Sequence, residues 1–241
     1  MLGRIKINEG PGPKQVLTRE SIRDGYVQRM AAHQARGGNP LTEEQLHKSR
    51  RDLLNQLGAG ADVWVFGYGS LMWNPAFHFD ESRIGKVFGF HRRFCLWSTL
   101  GRGSPENPGL MLGLDWGGCC RGMVLRIHPD AVESETDILW RREMVRGAYL
   151  PRWVRVHTSQ GVVRAITFTI NHSHDSYAGV QPEDRVVECI ATASGRLGGC
   201  VDYLVNTVGR MRQLGIEDRN MVKLLALVEE RRKNVTAQGN A

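Results

Sequence analysis

The feature that most constrains the fold is a succession of short apolar runs between Asp62 and Ile170, rich in β-branched and aromatic residues. Glycine-containing turns separate several of these runs, which is typical of antiparallel strands joined by hairpins. One hairpin is expected around Gly117 and Gly118, and another at 159–161. The predicted strands are 63–66, 85–97, 110–116, 120–127, 153–158 and 162–170.

Segments with helical periodicity follow the apolar runs, and one further such segment lies between two of them. A central helix is predicted at about 129–146, and three more helices at about 184–193, 199–214 and 218–233. Six strands, mostly linked by hairpins and followed by helices, predict an α+β fold. Closure of such a sheet into a small barrel is compatible with this number of strands.

Residues 1–60 have a different, polar and helical character. One helix is predicted at about 18–35 and a second from Thr42, with a break at 37–40. Thr42-Glu43-Glu44-Gln45 has the form of a capping box, in which a hydroxyl and an amide side chain satisfy free N–H groups at a helix start. The segment 58–61 is predicted to end this second helix. We therefore expect a helical extension at 1–60 and a main domain at 61–241.

Composition limits the compartment and the kinds of partner. At 241 residues, one main domain is expected, and no uncharged apolar run is long enough to span a membrane. The N-terminus lacks the apolar stretch of a signal peptide, so a cytoplasmic protein without a membrane partner is predicted. The five cysteines are odd in number and lack Cys-x-x-Cys spacing. This pattern favours reduced thiols over a disulfide framework or a zinc site.

The formal net charge of +7 raises the question of a nucleic-acid partner. Residues 1–60 hold ten Lys and Arg against six Asp and Glu, but these charges are scattered rather than clustered with aromatic residues. We therefore predict no nucleic-acid partner. A positive surface would equally attract a small anionic substrate. The oligomeric state is not predicted by these features.

A carboxylate occupies an unexpected position in the central helix. Val132, Leu139 and Glu143 follow one another at spacings of seven and four, so Glu143 shares a stripe with apolar residues. Burial raises the pKa of a carboxyl group, which suits a proton shuttle near neutral pH. The alternative is an ion pair with Arg146 or with an arginine on a neighbouring strand. Gly147 is a predicted helix stop, which places Glu143 in the last turn.

The stretch VWVFGYGSLMW at 63–73 breaks an apolar run with two glycines. Glycine weakens a strand, so it is favoured where the chain turns or where the main chain approaches a ligand closely. Both interpretations remain open from this motif alone. A serine-hydrolase interpretation of Ser70 is disfavoured, because the Gly-x-Ser-x-Gly turn that exposes such a serine is absent.

Several ordered segments carry a resemblance to a known family. In this order and spacing, spread over about 62–216, they resemble the ChaC family of glutathione-specific γ-glutamylcyclotransferases, whereas residues 1–60 are covered weakly. The segments are FGYGSLMW (66–73), RRFC (92–95), RGSPENPG (102–109), WRREM (140–144), and ASG (193–195) with DYL (202–204).

This resemblance implies a γ-glutamylcyclotransferase-like fold: a small, mostly antiparallel or mixed β-barrel with surrounding helices and an N-terminal helical extension. It implies cleavage of glutathione into 5-oxoproline and L-cysteinylglycine by attack of the glutamyl α-amine on the γ-carbonyl carbon, with no cofactor and no metal. Glu143 is the implied general base and acid. The implied substrate-binding residues are Gly67, Tyr68, Gly69, Ser70, Leu71, Met72 and, after the last strand, Tyr177.

Two other functions fit the same residues. One is a cyclotransferase with a broader range of γ-glutamyl amino acids or amines, and the other is a module that binds γ-glutamyl compounds without turning them over. Arg92 and Arg93 either attract a substrate carboxylate, pair with Glu143, or form ordinary ion pairs. His172 and His174 lack further ligands nearby in the sequence, so we interpret them as polar loop residues rather than a metal site.

A paired cysteine is the remaining candidate nucleophile. Cys119 and Cys120 are adjacent within a predicted strand, so one of the two side chains must point outward. Neither is accompanied by a positioned histidine or a helix N-terminus that would lower the pKa of its thiol. Catalytic use of these cysteines is therefore disfavoured.

Overall fold

Five strands close into a barrel in the computed structural model of the chain, which describes residues 17–32, 39–58 and 60–239. Their order around the barrel is β1-β3-β2-β4-β5, and a parallel pairing of β1 with β5 completes the circle. The predicted α+β fold with a small, mostly antiparallel barrel is confirmed. The strands are β1 (Val63–Gly67), β2 (Glu81–Ser98), β3 (Gly109–Ile127), β4 (Tyr149–Thr158) and β5 (Gly161–Ile170).

The hairpin predicted around Gly117 and Gly118 is wrong. Both halves of β3 pair with β2 in one antiparallel ladder, with a register shift between Phe88 and Phe90. Gly117 and Gly118 have φ angles of +96° and +67°, and they form a bulge inside a single 19-residue strand. A bulge and a tight turn both require glycine at positive φ, so local sequence does not separate them. The long partner strand β2 decides the outcome.

Seven α-helices of the described chain surround the barrel. The predicted helix at 18–35 is divided after its first turn, because Gly25 takes a φ of +76°, and residues 33–38 lie outside the described part. None of the described helices is long and apolar enough to cross a membrane. The helices are α1 (Arg19–Arg23), α2 (Tyr26–Ala32), α3 (Glu43–Leu54), α4 (Val132–Glu143), α5 (Glu183–Thr192), α6 (Cys200–Gln213) and α7 (Arg219–Gly239).

Three shorter features complete the chain. Single 3₁₀ turns occupy Ser70–Met72 and Pro129–Ala131, and the second of them leads directly into α4. The strands β6 (Ser194–Gly195) and β7 (Gly198–Gly199) form a small separate sheet between α5 and α6. The predicted central helix at 129–146 therefore begins as a 3₁₀ turn and ends three residues early.

The described part of the N-terminal extension packs onto α4. Thr42 and Gln45 form the predicted capping box at the start of α3, with hydrogen bonds of 3.2 and 2.8 Å. Arg19 donates from Nη2 to Glu135 Oε1 at 2.8 Å, and Glu135 is a buried residue of α4. Ion pairs of this kind are strongest where water is excluded. The extension therefore braces the helix that ends at Glu143.

Candidate active site

A glycine loop, defined as residues 67–72, follows the buried strand β1 and enters the 3₁₀ turn. A Cβ atom on Gly67 would lie 2.9 Å from the Leu71 Cβ atom. A Cβ atom on Gly69 would lie 2.6 Å from the Tyr203 hydroxyl oxygen. Both distances are shorter than a van der Waals contact, so the loop can pack this closely only with glycine at these positions.

The side chains of the glycine loop are held by the protein itself. The Tyr68 hydroxyl donates to the Phe168 carbonyl oxygen at 2.8 Å, and Leu71 and Met72 are buried in the core. Ser70 Oγ accepts a hydrogen bond of 2.9 Å from an arginine on α4. The first N–H groups of a helical turn have no partner inside that turn. The Met72 N–H is used within the turn, where it donates to the Gly69 carbonyl oxygen at 3.0 Å, so a ligand would be held by the N–H groups that precede it.

Glu143 is the last residue of α4, and its side chain is 14% exposed. Its Oε1 atom lies 2.8 Å from Arg142 Nε. Burial raises the pKa of the Glu143 carboxyl group above its usual value, and the Arg142 charge opposes this rise without cancelling it. The predicted position of Glu143 at the end of an apolar stripe is confirmed. A largely buried carboxylate with a raised pKa can accept and return a proton.

Arg142 joins Glu143 to the glycine loop. Its Nη2 atom donates to Ser70 Oγ at 2.9 Å, and its Nη1 atom donates to the Asn74 carbonyl oxygen. The Arg146 partner considered from the sequence is wrong, because the Arg146 guanidinium donates to Ala31 instead. Sequence reasoning missed Arg142 because neighbouring residues point to different faces of a helix. At the helix end, its long side chain bends back to the acid.

Buried tyrosines surround the carboxylate. Burial chiefly raises the pKa values of Tyr68, Tyr149 and Tyr203, and the Glu143 charge contributes to each rise. The Tyr149 hydroxyl donates to the Leu112 carbonyl oxygen at 2.9 Å. The Ser70 main chain opposes the rise in the pKa of Tyr203. These tyrosines therefore stay neutral and keep the surroundings of Glu143 low in dielectric.

Sequence reasoning assigned no role to Tyr149 or Tyr203. Tyr203 lies on the buried side of α6, and Tyr149 opens β4, so their positions resemble those of ordinary core residues. The one sequence signal that pointed to Tyr203 was the DYL segment at 202–204, which is among the segments that resemble the ChaC family.

Tyr177 follows β5 and lies against a different acid. Its hydroxyl is 3.5 Å from Asp115 Oδ2, and its ring centroid is 4.6 Å from that of His172. Its main chain forms an antiparallel bridge with Leu96 of β2. These contacts place the Tyr177 side chain on the Asp115 side of the barrel end. Its expected contact with the substrate near Glu143 stays a prediction.

The two arginines considered for Glu143 form other ion pairs. Arg93 Nη1 lies 3.2 Å from Asp115 Oδ2, and Arg92 Nε lies 3.6 Å from Asp218 Oδ2. Their ordinary ion-paired role, one of the alternatives from the sequence, therefore fits the structure. His172 binds Asp115 at 2.7 Å. Across the described ranges, no cluster of three or more His, Cys, Asp or Glu side chains is arranged to hold a metal ion.

The cysteines carry no sign of an activated thiol. Cys119 is exposed and Cys120 is buried, as the predicted alternation requires, and all five cysteines are free thiols. Burial raises the pKa of the Cys120 thiol, although Arg92 opposes this rise. A thiol with a raised pKa is a poor nucleophile because little thiolate is present.

Comparisons with known proteins agree with this fold. Residues 63–231 match the family model described as ChaC-like protein. The chain is 41% identical over 169 residues to a glutathione-specific γ-glutamylcyclotransferase of Escherichia coli (strain K12), covering 70% of this chain and 73% of that protein. It is 31% identical over 158 residues to the Homo sapiens glutathione-specific γ-glutamylcyclotransferase 1, covering 64% and 71%.

The fold is also similar to that of a solved structure. A crystal structure of a γ-glutamyl cyclotransferase specific to glutathione from yeast superposes with a TM-score of 0.66. The alignment has 22% sequence identity and covers 72% of this chain and 98% of that chain. At this level of identity, the likeness supports the fold alone.

Proposed function

The chain belongs to the ChaC-like family, and from this premise we propose that it is a glutathione-specific γ-glutamylcyclotransferase. It cleaves glutathione into 5-oxoproline and L-cysteinylglycine. The observation that carries the proposal is the join between Glu143 and the glycine loop: one guanidinium, that of Arg142, binds both. Through this guanidinium, a largely buried carboxylate and the glycine loop are held by the same side chain.

The first step forms a bond within the substrate. Glu143 takes a proton from the substrate's α-ammonium group, and the freed amine attacks the γ-carbonyl carbon, which closes a five-membered ring. The glycine loop holds the glutamyl part bent, with its N–H groups on the substrate oxygens. Orientation of tethered groups can contribute about 7–11 kcal/mol in favourable intramolecular reactions.

The second step releases the dipeptide. The carbonyl electron pair moves to oxygen in the tetrahedral intermediate, where a well-placed N–H donor contributes about 3–4 kcal/mol. The pair then returns, and the bond to the cysteine nitrogen breaks as Glu143 gives its proton to that nitrogen. Glu143 then carries the second proton from the ring nitrogen to the released amine, which leaves a neutral lactam and regenerates the carboxylate. The atoms balance without water, since the substrate amine is the nucleophile. No metal or cofactor takes part in this scheme.

The proposal assigns substrate binding to the loop and to the aromatic residue after β5. The catalytic unit is residues 61–241, and the described part of the extension at 1–60 braces α4. A reducing, cytoplasmic location accords with the five free thiols. The assigned substrate-binding residues are Gly67, Tyr68, Gly69, Ser70, Leu71, Met72 and Tyr177.

A product assay tests this proposal against the two alternative functions. Purified full-length protein is incubated with glutathione and with a panel of other γ-glutamyl amino acids and γ-glutamylamines, and 5-oxoproline and the released amine are quantified. We expect release of cysteinylglycine from glutathione and little release from the panel. Comparable release across the panel would indicate the broader cyclotransferase. Calorimetric binding of glutathione without any product would indicate a binding module and contradict the proposal.

Alanine at Gly69 is expected to lower kcat/KM for glutathione by about 100-fold. The added Cβ atom would lie 2.6 Å from the Tyr203 hydroxyl oxygen, so the loop must move, and misplacing reacting groups by about 1 Å can cost this much. Kinetics on the purified variant measure the loss. Tyr203→Phe in the same chain removes the colliding oxygen and should restore part of the activity. A fully active Gly69→Ala variant would contradict the close approach.

A further inference from the structure

Strand register aligns cations across four neighbouring strands of the barrel. In β2, Lys86 lies directly opposite Arg121 of β3 and opposite His157 of β4. His157 in turn lies opposite Val162 of β5. Residues directly opposite each other in antiparallel strands share one face of the sheet. One row therefore crosses the outer surface in the order Arg121, Lys86, His157, Val162.

A second row lies two residues further along each strand, and so on the same face. Phe88 lies opposite Cys119, and Arg155 lies opposite Arg164. The rings of Phe88 and His157 join the rows at a centroid distance of 5.1 Å. All these side chains are exposed apart from Lys86, which is half-buried. We call this surface the basic face: Lys86, Phe88, Cys119, Arg121, Arg155, His157, Val162 and Arg164.

The basic face carries cations without balancing acids. The strand segments 82–98, 116–127 and 149–170 contain no Asp or Glu at all. Like charges directly opposite each other destabilise a sheet, and this face has two such pairs, Lys86 with Arg121 and Arg155 with Arg164. Folding therefore gains nothing from this arrangement. The face is complementary to a ligand with several closely spaced negative charges.

The neighbours of these cations are rings and carbonyl groups. Within the described part of the chain, no carboxylate lies within ion-pair distance of Lys86, Arg121, Arg155 or Arg164. Lys86 Nζ lies 4.7 Å from the Phe88 ring centroid, and Arg164 lies 4.8 Å from that of Trp153. Arg164 also donates to the Gln56 carbonyl oxygen at 3.0 Å. Their charges stay available to an anion.

An exposed aromatic ring at the centre of the basic face indicates which class of anion it would bind. Phe88 is 56% exposed and is flanked by Lys86 and His157. A ring among cations suits a nucleobase, which stacks on the ring while its phosphates meet the cations. Exposed sheets with aromatic side chains bind single-stranded nucleic acid in this way in several folds. The remaining apolar surface, chiefly Val162, is too small to insert into a lipid bilayer.

We propose that the basic face binds single-stranded nucleic acid, with phosphates at its lysine and arginines and a base stacked on Phe88. The expectation of no nucleic-acid partner rested on charges in residues 1–60, whereas this face is assembled from strands far apart in sequence. At β4, the basic face is well separated from the tyrosine that lies near Glu143. Arg155 lies six residues along β4 from Tyr149, a separation of about 20 Å at strand rise.

Fluorescence anisotropy on full-length protein tests this proposal. Labelled oligouridine and oligothymidine of about 16 nucleotides serve as probes across about 50–200 mM salt. We expect binding that weakens as salt rises. The double variant Lys86→Ala/Arg164→Ala should bind more weakly, and the slope of log affinity against log salt should fall by about 1.4 for two lost phosphate contacts. Comparing the two probes distinguishes RNA from DNA as the source.

Two further variants distinguish binding at the basic face from binding that depends only on the net charge of the protein. Phe88→Ala should weaken binding by about fivefold or more with the salt slope unchanged, because stacking carries no charge. Arg212→Ala/Arg219→Ala removes two exposed cations from α6 and α7, outside the face, and should leave affinity unchanged. An equal loss in this control would overturn the proposal by showing that binding follows overall charge.

Other probes give outcomes that would also overturn the proposal. One is that no oligonucleotide binds at about 50 mM salt. The other is that anionic vesicles or polyglutamate bind while oligonucleotides do not. Cleavage of glutathione should be unchanged in both face variants and in the Arg212→Ala/Arg219→Ala control, which checks that all of them fold. Because that readout is separate, failure of the nucleic-acid proposal and failure of the proposed enzymatic function are distinguishable.

Discussion

Replacing Glu143 by glutamine is expected to lower kcat for glutathione by about 10²–10⁴-fold, the usual contribution of a positioned acid or base. A glutamine side chain can still accept the hydrogen bond from Arg142, but it cannot take a proton from the substrate ammonium group. The measurement is the steady-state release of cysteinylglycine. Glu217→Gln, which alters an exposed acid, is the matched control and should be fully active. A Glu143→Gln variant that keeps more than about a tenth of wild-type kcat contradicts the assigned role.

The same substitution is expected to change how stability depends on pH. Because the pKa of Glu143 is raised in the folded state, the folded protein holds this proton more tightly than the unfolded chain does. Folding stability from this group is present below the unfolded pKa of about 4.3 and is lost as pH rises through the folded pKa. Glu143→Gln never ionises, so its Tm relative to wild type should rise as the pH increases above about 4. A Tm difference that does not change with pH would show that folding does not raise the pKa of the Glu143 carboxyl group.

Replacing Arg142 by methionine is expected to lower kcat/KM by about 100-fold or more, because Glu143 and the glycine loop are then no longer held in position by a shared guanidinium. The variant loses the contact with Glu143 Oε1 and the hydrogen bonds to Ser70 and Asn74. Removing the positive charge also raises the pKa of Glu143 further. The acidic limb of the kcat/KM profile against pH should therefore move to higher pH.

A lysine at the same position separates charge from geometry. Arg142→Lys keeps the positive charge but cannot reach Glu143, Ser70 and Asn74 together, because it lacks the guanidinium fork. We expect its acidic limb to lie near that of wild type while kcat/KM remains low. If the methionine variant shows an unmoved acidic limb, Arg142 does not set the pKa of Glu143. If both variants are fully active, Arg142 does not position the site.

Much of the local structure was predictable because it depends on neighbours in sequence. Glu143 lies where its spacing from Leu139 places it, and Thr42 and Gln45 cap α3 as their spacing predicts. The break of the apolar run at Gly67 and Gly69 predicted either a turn or a close approach to a ligand. The structure shows a turn packed closely against Leu71 and Tyr203, and the approach to a ligand stays a prediction. Periodicity and capping are set within one or two turns of chain, so residue order alone reveals them.

Tertiary structure alone decided which distant segments meet. Whether Gly117 and Gly118 make a turn or a bulge depends on β2, about 30 residues earlier, which offers one continuous partner. The tyrosines around Glu143 come from the start of β4 and the middle of α6, and their spacing in sequence carries no sign of this meeting. The basic face is likewise a product of strand register. The amino-acid sequence by itself determined most of the helices and strands and the position of the acid, because these follow from local periodicity. Barrel closure determined which residues are neighbours, because side chains far apart in sequence meet only when the strands pair.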